Sequence, residues 1–367
     1  MKGSKRLVVV LTTMVLMVAM TLPVFAAGQG EGQMYIPVIS KGLQHQFWQT
    51  VKDGSEDAAA EYGVDITFEG PASEADIQDQ VLMLQNAMAK DPAAVALAAL
   101  DTQSVMDQLQ EAIRRDIPII GFDSGVPNAP AGSIYATAST DNYAAAGLAA
   151  EQMFAELEGA IDQVSPSTPA TVVVFSQDAT SESVTRRGFG FRDRTVELLV
   201  DETPLTRDDI RVQGNPAYVA DDSPRSSNPS VIIDMVVPAS PRTQDVTATA
   251  NAIFNRVEED NIVGIFNSNE GTVVGVLAAT NDGAELATSY DDVIVIGFDA
   301  GEAQKNAVRQ GFFLGSITQD PYQIGYKAVE LAYQAANGEE VFDVDTGAKF
   351  YTAENMDNPD IAPLLYD

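Results

Sequence analysis

The sequence contains no cysteine, one histidine and one tryptophan in 367 residues. The lack of cysteine excludes disulfides, thiolate metal sites, cysteine nucleophiles and lipid attachment at cysteine. A single histidine also argues against a histidine-rich metal site or a Ser-His-Asp triad. The sequence has no Walker motif, GxGxxG phosphate loop or EF-hand spacing. It therefore offers no support for an enzyme, a cofactor or a bound metal.

Basic residues are scarce as well, with 21 lysines and arginines against 53 acidic residues. Three of the basic residues and none of the acidic ones lie in residues 1–26, so the remainder has 18 against 53, a net charge of −35. Such a chain repels nucleic acid and anionic lipid, which argues against a nucleic-acid partner.

The N-terminus has the pattern of a targeting peptide. Three basic residues precede the apolar residues 7–21, and Ala26 offers a small-residue cleavage site. We predict a signal peptide over residues 1–26, a flexible lead-in over 27–33 and an exported protein. An uncleaved membrane anchor is the alternative.

Beyond this segment, short apolar runs that end in Gly, Asp or Asn alternate with helical patterns. Such runs are typical of strands buried on both faces, and the alternation predicts an α/β fold with parallel sheets and helical crossovers. The aperiodic, proline-rich residues 201–230 are predicted to be a surface insertion. Ser73 is predicted to cap a helix that begins with Glu74.

One pattern occurs twice, as "IPIIGFDSG" at 117–125 and "VIVIGFDAG" at 293–301. Each copy is typical of a buried strand followed by an aspartate, Asp123 or Asp299. Two lobes, each with an aspartate at the end of a strand, would produce this repeat, and ligands of such sheets bind beyond those strand ends. The alternative is coincidence, since an aspartate after a strand is common in α/β proteins.

Polar and aromatic residues gather at the predicted strand ends. The first strand is followed by "SKGLQHQFWQTVKDG" at 40–54, which holds the single histidine and the single tryptophan. Sugar hydroxyls pair with Asp, Asn, Gln and Arg, and the C–H faces of a sugar can lie on aromatic rings. These residues predict a site for a polyhydroxylated ligand. The alternatives are core packing for Trp48 and exposed helix starts for His45 and Arg187.

Residues 34–350 resemble the type I periplasmic sugar-binding proteins, the ribose-binding-protein-like receptors of ABC transporters. The resemblance rests on eight segments in order: "IPVISKGLQHQFWQTVKDG", "VDITFEGP", "IPIIGFDSGV", "ATASTDNYAAAG", "VTRRGFGF", "IFNSNEG", "VIGFDAG" and "SITQDPYQIGY". It implies two Rossmann-like lobes with a ligand cleft between them and a hinge of three crossings. The first lobe would take 34–138 plus 320–347, and the second 139–319 plus 348–367.

The resemblance also implies roles for residues of the first segment. Phe47 and Trp48 match an aromatic pair that sandwiches the sugar, and His45 matches a polar position just before that pair. Lys41 matches a lysine in a branch of the family near the autoinducer-2 receptors.

Further roles follow for residues at later strand ends. Asp123 and Asp299 match two acids, one from each lobe, that accept hydrogen bonds from sugar hydroxyls. Arg187 matches a donor of the second lobe, and Asn269 and Gln319 match amides that complete the site.

Two departures from the family pattern argue against ribose itself. Ser124, which we include in the site, stands where the ribose receptor has an arginine. "SPR" at 240–242 replaces an expected aromatic residue of the second lobe. A different monosaccharide, a polyol or an autoinducer-2-like compound fits better.

We therefore predict a monomeric, extracytoplasmic substrate-binding protein that closes on its ligand without cofactor or metal. It would deliver the ligand to an ABC transporter permease, or signal through a chemoreceptor. The alternatives are an autoinducer-2-like signal receptor, an exported sugar-modifying enzyme, and a LacI-type regulatory core. The last would need a helix-turn-helix where the signal peptide stands.

Overall fold

Strands and helices alternate along the part of the chain that the computed structural model describes, residues 33–366, with residue 158 described by its backbone alone. The strands are β1 (Tyr35–Ile39), β2 (Asp65–Glu69), β3 (Val95–Leu97), β4 (Ile119–Phe122), β5 (Ile134–Ser139), β6 (Ala170–Phe175), β7 (Ile210–Gly214), β8 (Val231–Val236), β9 (Ile262–Asn267), β10 (Ile294–Phe298), β11 (Gly315–Gln319), β12 (Val344–Asp345) and β13 (Ala348–Tyr351). The helices are α1 (Gln46–Tyr62), α2 (Ile77–Met88), α3 (Met106–Arg114), α4 (Asn142–Ile161), α5 (Glu182–Glu202), α6 (Thr243–Phe254), α7 (Glu270–Ala279), α8 (Glu302–Arg309) and α9 (Pro321–Ala336).

The predicted signal peptide and nearly all of the lead-in lie outside the described residues. Within residues 33–366, no helix combines the length and the apolar character needed to cross a bilayer.

The strands form two sheets, each of which organises one lobe. The first has the order β12-β5-β4-β3-β1-β2 and is parallel throughout. The second has the order β13-β11-β10-β9-β6-β8-β7, with only β13 antiparallel to its neighbour. Strand β6 (ATVVVF) is buried at every position, as expected of a parallel strand covered by helices on both faces.

The chain passes between the two sheets three times. The passages follow β5, β11 and β12, so the adjoining elements α4, α9 and β13 lie beside the other sheet or in it. Helix α9 returns to the first lobe and packs against α1, where Gly54 and Gly325 bring the two backbones together. A Cβ atom on Gly325 would collide with the carbonyl of Val51, and one on Gly54 with that of Tyr322.

The predicted surface insertion at 201–230 is wrong for part of its length. Residues Ile210–Gly214 form edge strand β7, which pairs with β8 over five residues. Tyr218 is fully buried, and its hydroxyl donates a hydrogen bond of 2.6 Å to the carbonyl of Asp178. Replacement of the whole segment by a linker would therefore remove a strand and a core side chain from the second lobe.

Candidate functional site

The carboxyl ends of strands from both sheets face one cavity between the lobes. Ten side chains line this cavity: Lys41, His45, Phe47, Trp48, Glu74, Asp123, Arg187, Asn269, Asp299 and Gln319. Nine of them are residues that the sequence predicted for the site. Ser124 is the predicted residue that does not line it, and Glu74 is a member that the prediction missed. The structure brings these residues together, and their role in ligand binding stays a prediction.

The two aspartates of the repeated pattern have the same unusual backbone conformation. Asp123 follows β4 with φ 52°, and Asp299 follows β10 with φ 84°. This left-handed region is uncommon for residues other than glycine, although Asp and Asn tolerate it best. The backbone therefore turns sharply after each strand and aims the carboxylate into the cavity, once from each lobe.

Lys41 pairs with the first of these aspartates and reaches across the cleft. Its Nζ lies 3.2 Å from Oδ2 of Asp123 and donates a hydrogen bond of 2.9 Å to Oγ of Ser183, at the start of α5. Burial alone would lower the pKa of Lys41, but the charges of Asp123 and Glu74 raise it above its usual value. Lys41 is therefore a buried ammonium group with donors directed at both lobes.

Ser124 contacts the second lobe rather than the cavity. Its Oγ accepts a hydrogen bond of 3.3 Å from the backbone N–H of Ser183. Ser124 therefore supports the contact between the lobes, beside the Lys41–Ser183 bond.

Arg187 is held rigidly at the floor of the second lobe. Its Nε donates to Oδ1 of Asn142 at 2.7 Å, and its Nη1 donates to the carbonyl of Ser268 at 3.0 Å. The guanidinium lies 3.8 Å from the ring centroid of Phe298, and Nη1 is 3.9 Å from Oδ2 of Asp299. A planar cation fixed on one face by an aromatic ring presents its remaining edge to a ligand in a defined direction.

The second-lobe aspartate is oriented by two donors. Oδ1 of Asp299 accepts from Nε2 of Gln319 at 2.8 Å, and Oδ2 accepts from the backbone N–H of Glu270 at 2.9 Å. Two buried acceptor atoms of the site, Oδ2 of Asp123 and Oε1 of Gln319, lack a hydrogen-bond donor within the described chain, although the first is paired in charge with Lys41. Buried acceptors of this kind are available to hydroxyl groups.

The two aromatic residues belong both to the core and to the cavity wall. Phe47 and Trp48 are 5% and 1% exposed, and their rings meet edge to face at 88° with centroids 4.9 Å apart. Rings at a right angle cannot both lie flat against one sugar ring. The core-packing interpretation of Trp48 is therefore correct, and the same side chain also forms part of the cavity wall.

Glu74 is buried in the loop between β2 and α2, not at the start of a helix. Helix α2 begins at Ile77, and the Ser73 hydroxyl accepts instead from the N–H of Ala75, so the predicted cap is wrong. Oε1 of Glu74 accepts from the indole N–H of Trp48 at 2.9 Å, and Oε2 accepts from Nε2 of Gln177 at 2.6 Å. The signal that could have located Glu74 is its place just beyond a strand end.

His45 is not exposed, although it does precede helix α1. Its Nδ1 lies 3.6 Å from Oε1 of Glu270, the first residue of α7 in the other lobe. Burial by itself would lower the pKa of His45, but the nearby carboxylates of Glu270, Glu74 and Asp299 raise it above its usual value. Protonation of His45 thus strengthens a contact between the lobes.

This contact predicts a pH-dependent stability. Because the folded pKa of His45 is raised, its contribution is fully present below the unfolded value of about 6.5 and is lost as the pH rises through the folded pKa. We expect His45→Gln to reduce the free energy of unfolding below about pH 6.5 and to have little effect at alkaline pH. Urea denaturation across this range measures the difference.

The single histidine resonance allows the same prediction to be checked by NMR titration. Glu270→Gln is the matched control and should lower the pKa of His45. A pKa of His45 at or below about 6.5 in the unaltered protein would contradict the prediction.

The cavity itself is small. It encloses about 20 Å³, whereas sites for small ligands usually measure roughly 300–1,000 Å³. Entry of a ligand therefore requires the lobes to separate and the lining side chains to move. In residues 33–366, no group of three or more His, Cys, Asp or Glu residues is placed to hold a metal ion.

Two α/β lobes that close on a buried polar cavity, with three chain passages between them, define a two-lobed solute-binding protein. The chain belongs to the periplasmic binding protein family, whose domain matches residues 36–340. The predicted fold class and family are thereby confirmed, and solute binding is the class of function that the family implies. The predicted branch near the autoinducer-2 receptors stays a prediction.

Individual relatives are similar over nearly their whole length. The D-allose-binding periplasmic protein of Escherichia coli (strain K12) is 20% identical over 326 residues, which are 87% of this chain and 90% of that protein. A structure named as an ABC transporter, LacI family transcriptional regulator from Brachyspira murdochii is 37% identical, with a TM-score of 0.75, over 91% of this chain and 99% of the other. A carbohydrate transporter solute-binding protein from Agrobacterium radiobacter, in complex with D-arabinose, is 25% identical, with a TM-score of 0.73, over 91% and 99%.

Proposed function

We propose that the protein is the extracytoplasmic solute-binding component of an ABC transporter and that it closes its lobes on a monosaccharide or a related polyhydroxylated compound. The observation that carries this proposal is the cavity between the strand ends, which combines aromatic faces with acceptors and donors from both lobes. Sugars need this combination, because each hydroxyl both donates and accepts and each ring has apolar C–H faces.

The site offers a complementary partner for each part of a sugar. Oδ2 of Asp123 and Oε1 of Gln319 are buried acceptors, whereas Arg187 and Lys41 provide charged donors. Charge-assisted hydrogen bonds are the stronger kind, and a closed, dry cavity strengthens them further. One of the two perpendicular rings, Phe47 or Trp48, can lie along a sugar face.

Ribose is not the ligand that these residues favour. Ser124 is engaged with the backbone of Ser183, and Arg242 forms an ion pair of 2.7 Å with Asp76. Neither position supplies the arginine or the aromatic ring of a ribose site. D-Allose and D-arabinose, the sugars named for two relatives, are starting points for a ligand search. Lys41 adds an autoinducer-2-like furanosyl compound to that search.

The family membership supports a proposal for the biological setting. We propose export by the N-terminal segment, action as a monomer, and recognition of the closed form by a membrane permease or a chemoreceptor. Delivery of the ligand to the permease requires closure of the lobes, and periplasmic binding proteins are a standard example of hinge closure. We propose no catalytic step.

A thermal-shift screen of the protein against pentoses, hexoses, polyols and autoinducer-2 tests the function. A ligand at 100 times its Kd should stabilise the folded protein by about 2.7 kcal/mol and raise its melting temperature. Calorimetry on each positive compound then gives the affinity. If no sugar, polyol or furanosyl compound raises the melting temperature, the proposed function is wrong.

A further inference from the structure

Glu74 is a buried carboxylate whose two oxygens are bonded by opposite lobes. Glu74 belongs to the first lobe, and the residue is 5% exposed. Oε1 accepts from Trp48 in the same lobe at 2.9 Å, and Oε2 accepts from Gln177, just after β6 in the second lobe, at 2.6 Å. The two partners lie on different sides of the cleft, so the Gln177 bond can form only when the lobes are closed.

The direction of every hydrogen bond in this network is determined. The backbone N–H of Thr272 donates to Oδ1 of Asn269 at 3.2 Å, and Nδ2 of Asn269 donates to Oε1 of Gln177 at 2.7 Å. Gln177 must therefore turn its amino group toward Glu74. Since Trp48 can only donate, position 74 has to accept at both oxygens, which a carboxylate does and an amide does not.

Two further features keep the network in place. A Cβ atom on Gly271 would collide with Oε1 of Gln177, so the glycine provides the space for that amide. Burial by itself would raise the pKa of Glu74, but the charges of Lys41 and His45 lower it below its usual value. The carboxylate is therefore ionised, as an acceptor for two donors must be.

We propose that Glu74 is a positioning residue for ligand binding, which on closure joins the Trp48 indole of the first lobe to the Asn269 amide of the second. The inference rests on the proposed function, because both of these groups line the proposed sugar cavity. When the lobes separate, the Glu74–Gln177 bond breaks and the two groups lose their common support. Closure and the orientation of the sugar-facing groups are thus a single event.

The matched pair of variants Glu74→Gln and Glu74→Gln/Gln177→Glu tests this inference. In the single variant, the amide amino group at position 74 faces a donor, either the indole N–H of Trp48 or the amino group of Gln177. We therefore expect the affinity for the identified sugar to fall about ten- to hundredfold. The double change exchanges the two side chains and recreates each bond. In that variant the amide at position 74 accepts from Trp48 and donates to the carboxylate at position 177, which also accepts from Asn269. The double variant should bind within a few-fold of the unaltered protein.

Closure is measured independently of affinity by the distance between two spin labels. The chain has no cysteine, so Leu82→Cys on α2 and Ala248→Cys on α6, both exposed, would carry the only labels. We expect Glu74→Gln to shift the distances away from those of the unaltered protein, with or without sugar, and the double variant to restore them.

Asp76→Asn is the control. Asp76 also contacts the other lobe, through Arg242, but it is not bonded to Trp48 or Asn269. It should change affinity by no more than about threefold, as expected of an exposed ion pair. Unchanged affinity and distances in Glu74→Gln, or no recovery in the double variant, would overturn the inference. If the unaltered protein binds no sugar, the proposed function fails, while the distances without ligand still test the network.

Discussion

Replacement of Arg187 by alanine is expected to weaken ligand binding by about 2–4 kcal/mol, roughly 30- to 1,000-fold in Kd. Arg187 is 2% exposed, and its guanidinium donates to Asn142 and to the carbonyl of Ser268. Its loss would also leave Asp299 without the cation beside it. A buried acceptor that loses a charged donor bears the full cost of its desolvation, because water cannot replace the donor in a closed site.

The neighbouring Arg186 is a matched control for this experiment. Its side chain is 47% exposed, and it lies 3.6 Å from both Asp141 and Glu182 at the surface. Arg186→Ala removes the same charge from the same helix but should leave the affinity within a few-fold, since exposed ion pairs contribute little. Calorimetry of both variants with the identified ligand measures the contrast. Equal effects of the two substitutions would contradict the assigned role of Arg187.

The second large effect is expected at the two aspartates of the repeated pattern. Asp123→Asn and Asp299→Asn should each weaken binding by at least about 1–3 kcal/mol, because each removes a charged acceptor from a closed site. Asparagine is the suitable replacement, since the positive φ angles of 52° and 84° at these positions are tolerated by Asn better than by Ala. The double variant should lose less than the sum, because closure couples the two lobes.

Asp116→Asn controls for the backbone conformation. Asp116 has φ 52° as well, but it is exposed, just after α3, and its substitution should not change ligand affinity. The three cavity variants and this control are compared by calorimetry with and without EDTA. Strictly additive losses would contradict coupling through closure, and loss of binding in EDTA would contradict a site without metal.

Local patterns in the sequence were sufficient to predict the α/β fold and most of the cavity wall. The Gly-Phe-Asp repeat located Asp123 and Asp299, because a buried apolar run marks a strand and the carboxyl ends of parallel strands share one edge of a sheet. The same reasoning missed β7. Its five residues, "IRVQG", show only a short alternation of apolar and polar residues inside a polar, proline-rich stretch. An edge strand can form without a longer run of apolar residues, so no clear signal marks it in the sequence.

Local sequence patterns could not predict which side chains contact each other across the cleft. Glu74 and Gln177 are 103 positions apart in the sequence, and neither stands in a motif that names the other. His45 likewise was open to a surface interpretation until its contact with Glu270 was known.

The sequence by itself predicted the alternation of strands and helices and the set of polar residues at the strand ends, because both depend on periodicity and composition over a few neighbouring residues. The family came from the resemblance of eight ordered segments. Only the tertiary structure decided which of those residues meet. It placed Ser124 in the lobe contact rather than in the cavity, set the two aromatic rings at a right angle, and brought Glu74 between the lobes. The physical reason is that these contacts form between distant segments when two lobes pack face to face, and their geometry depends on the whole fold rather than on any local stretch.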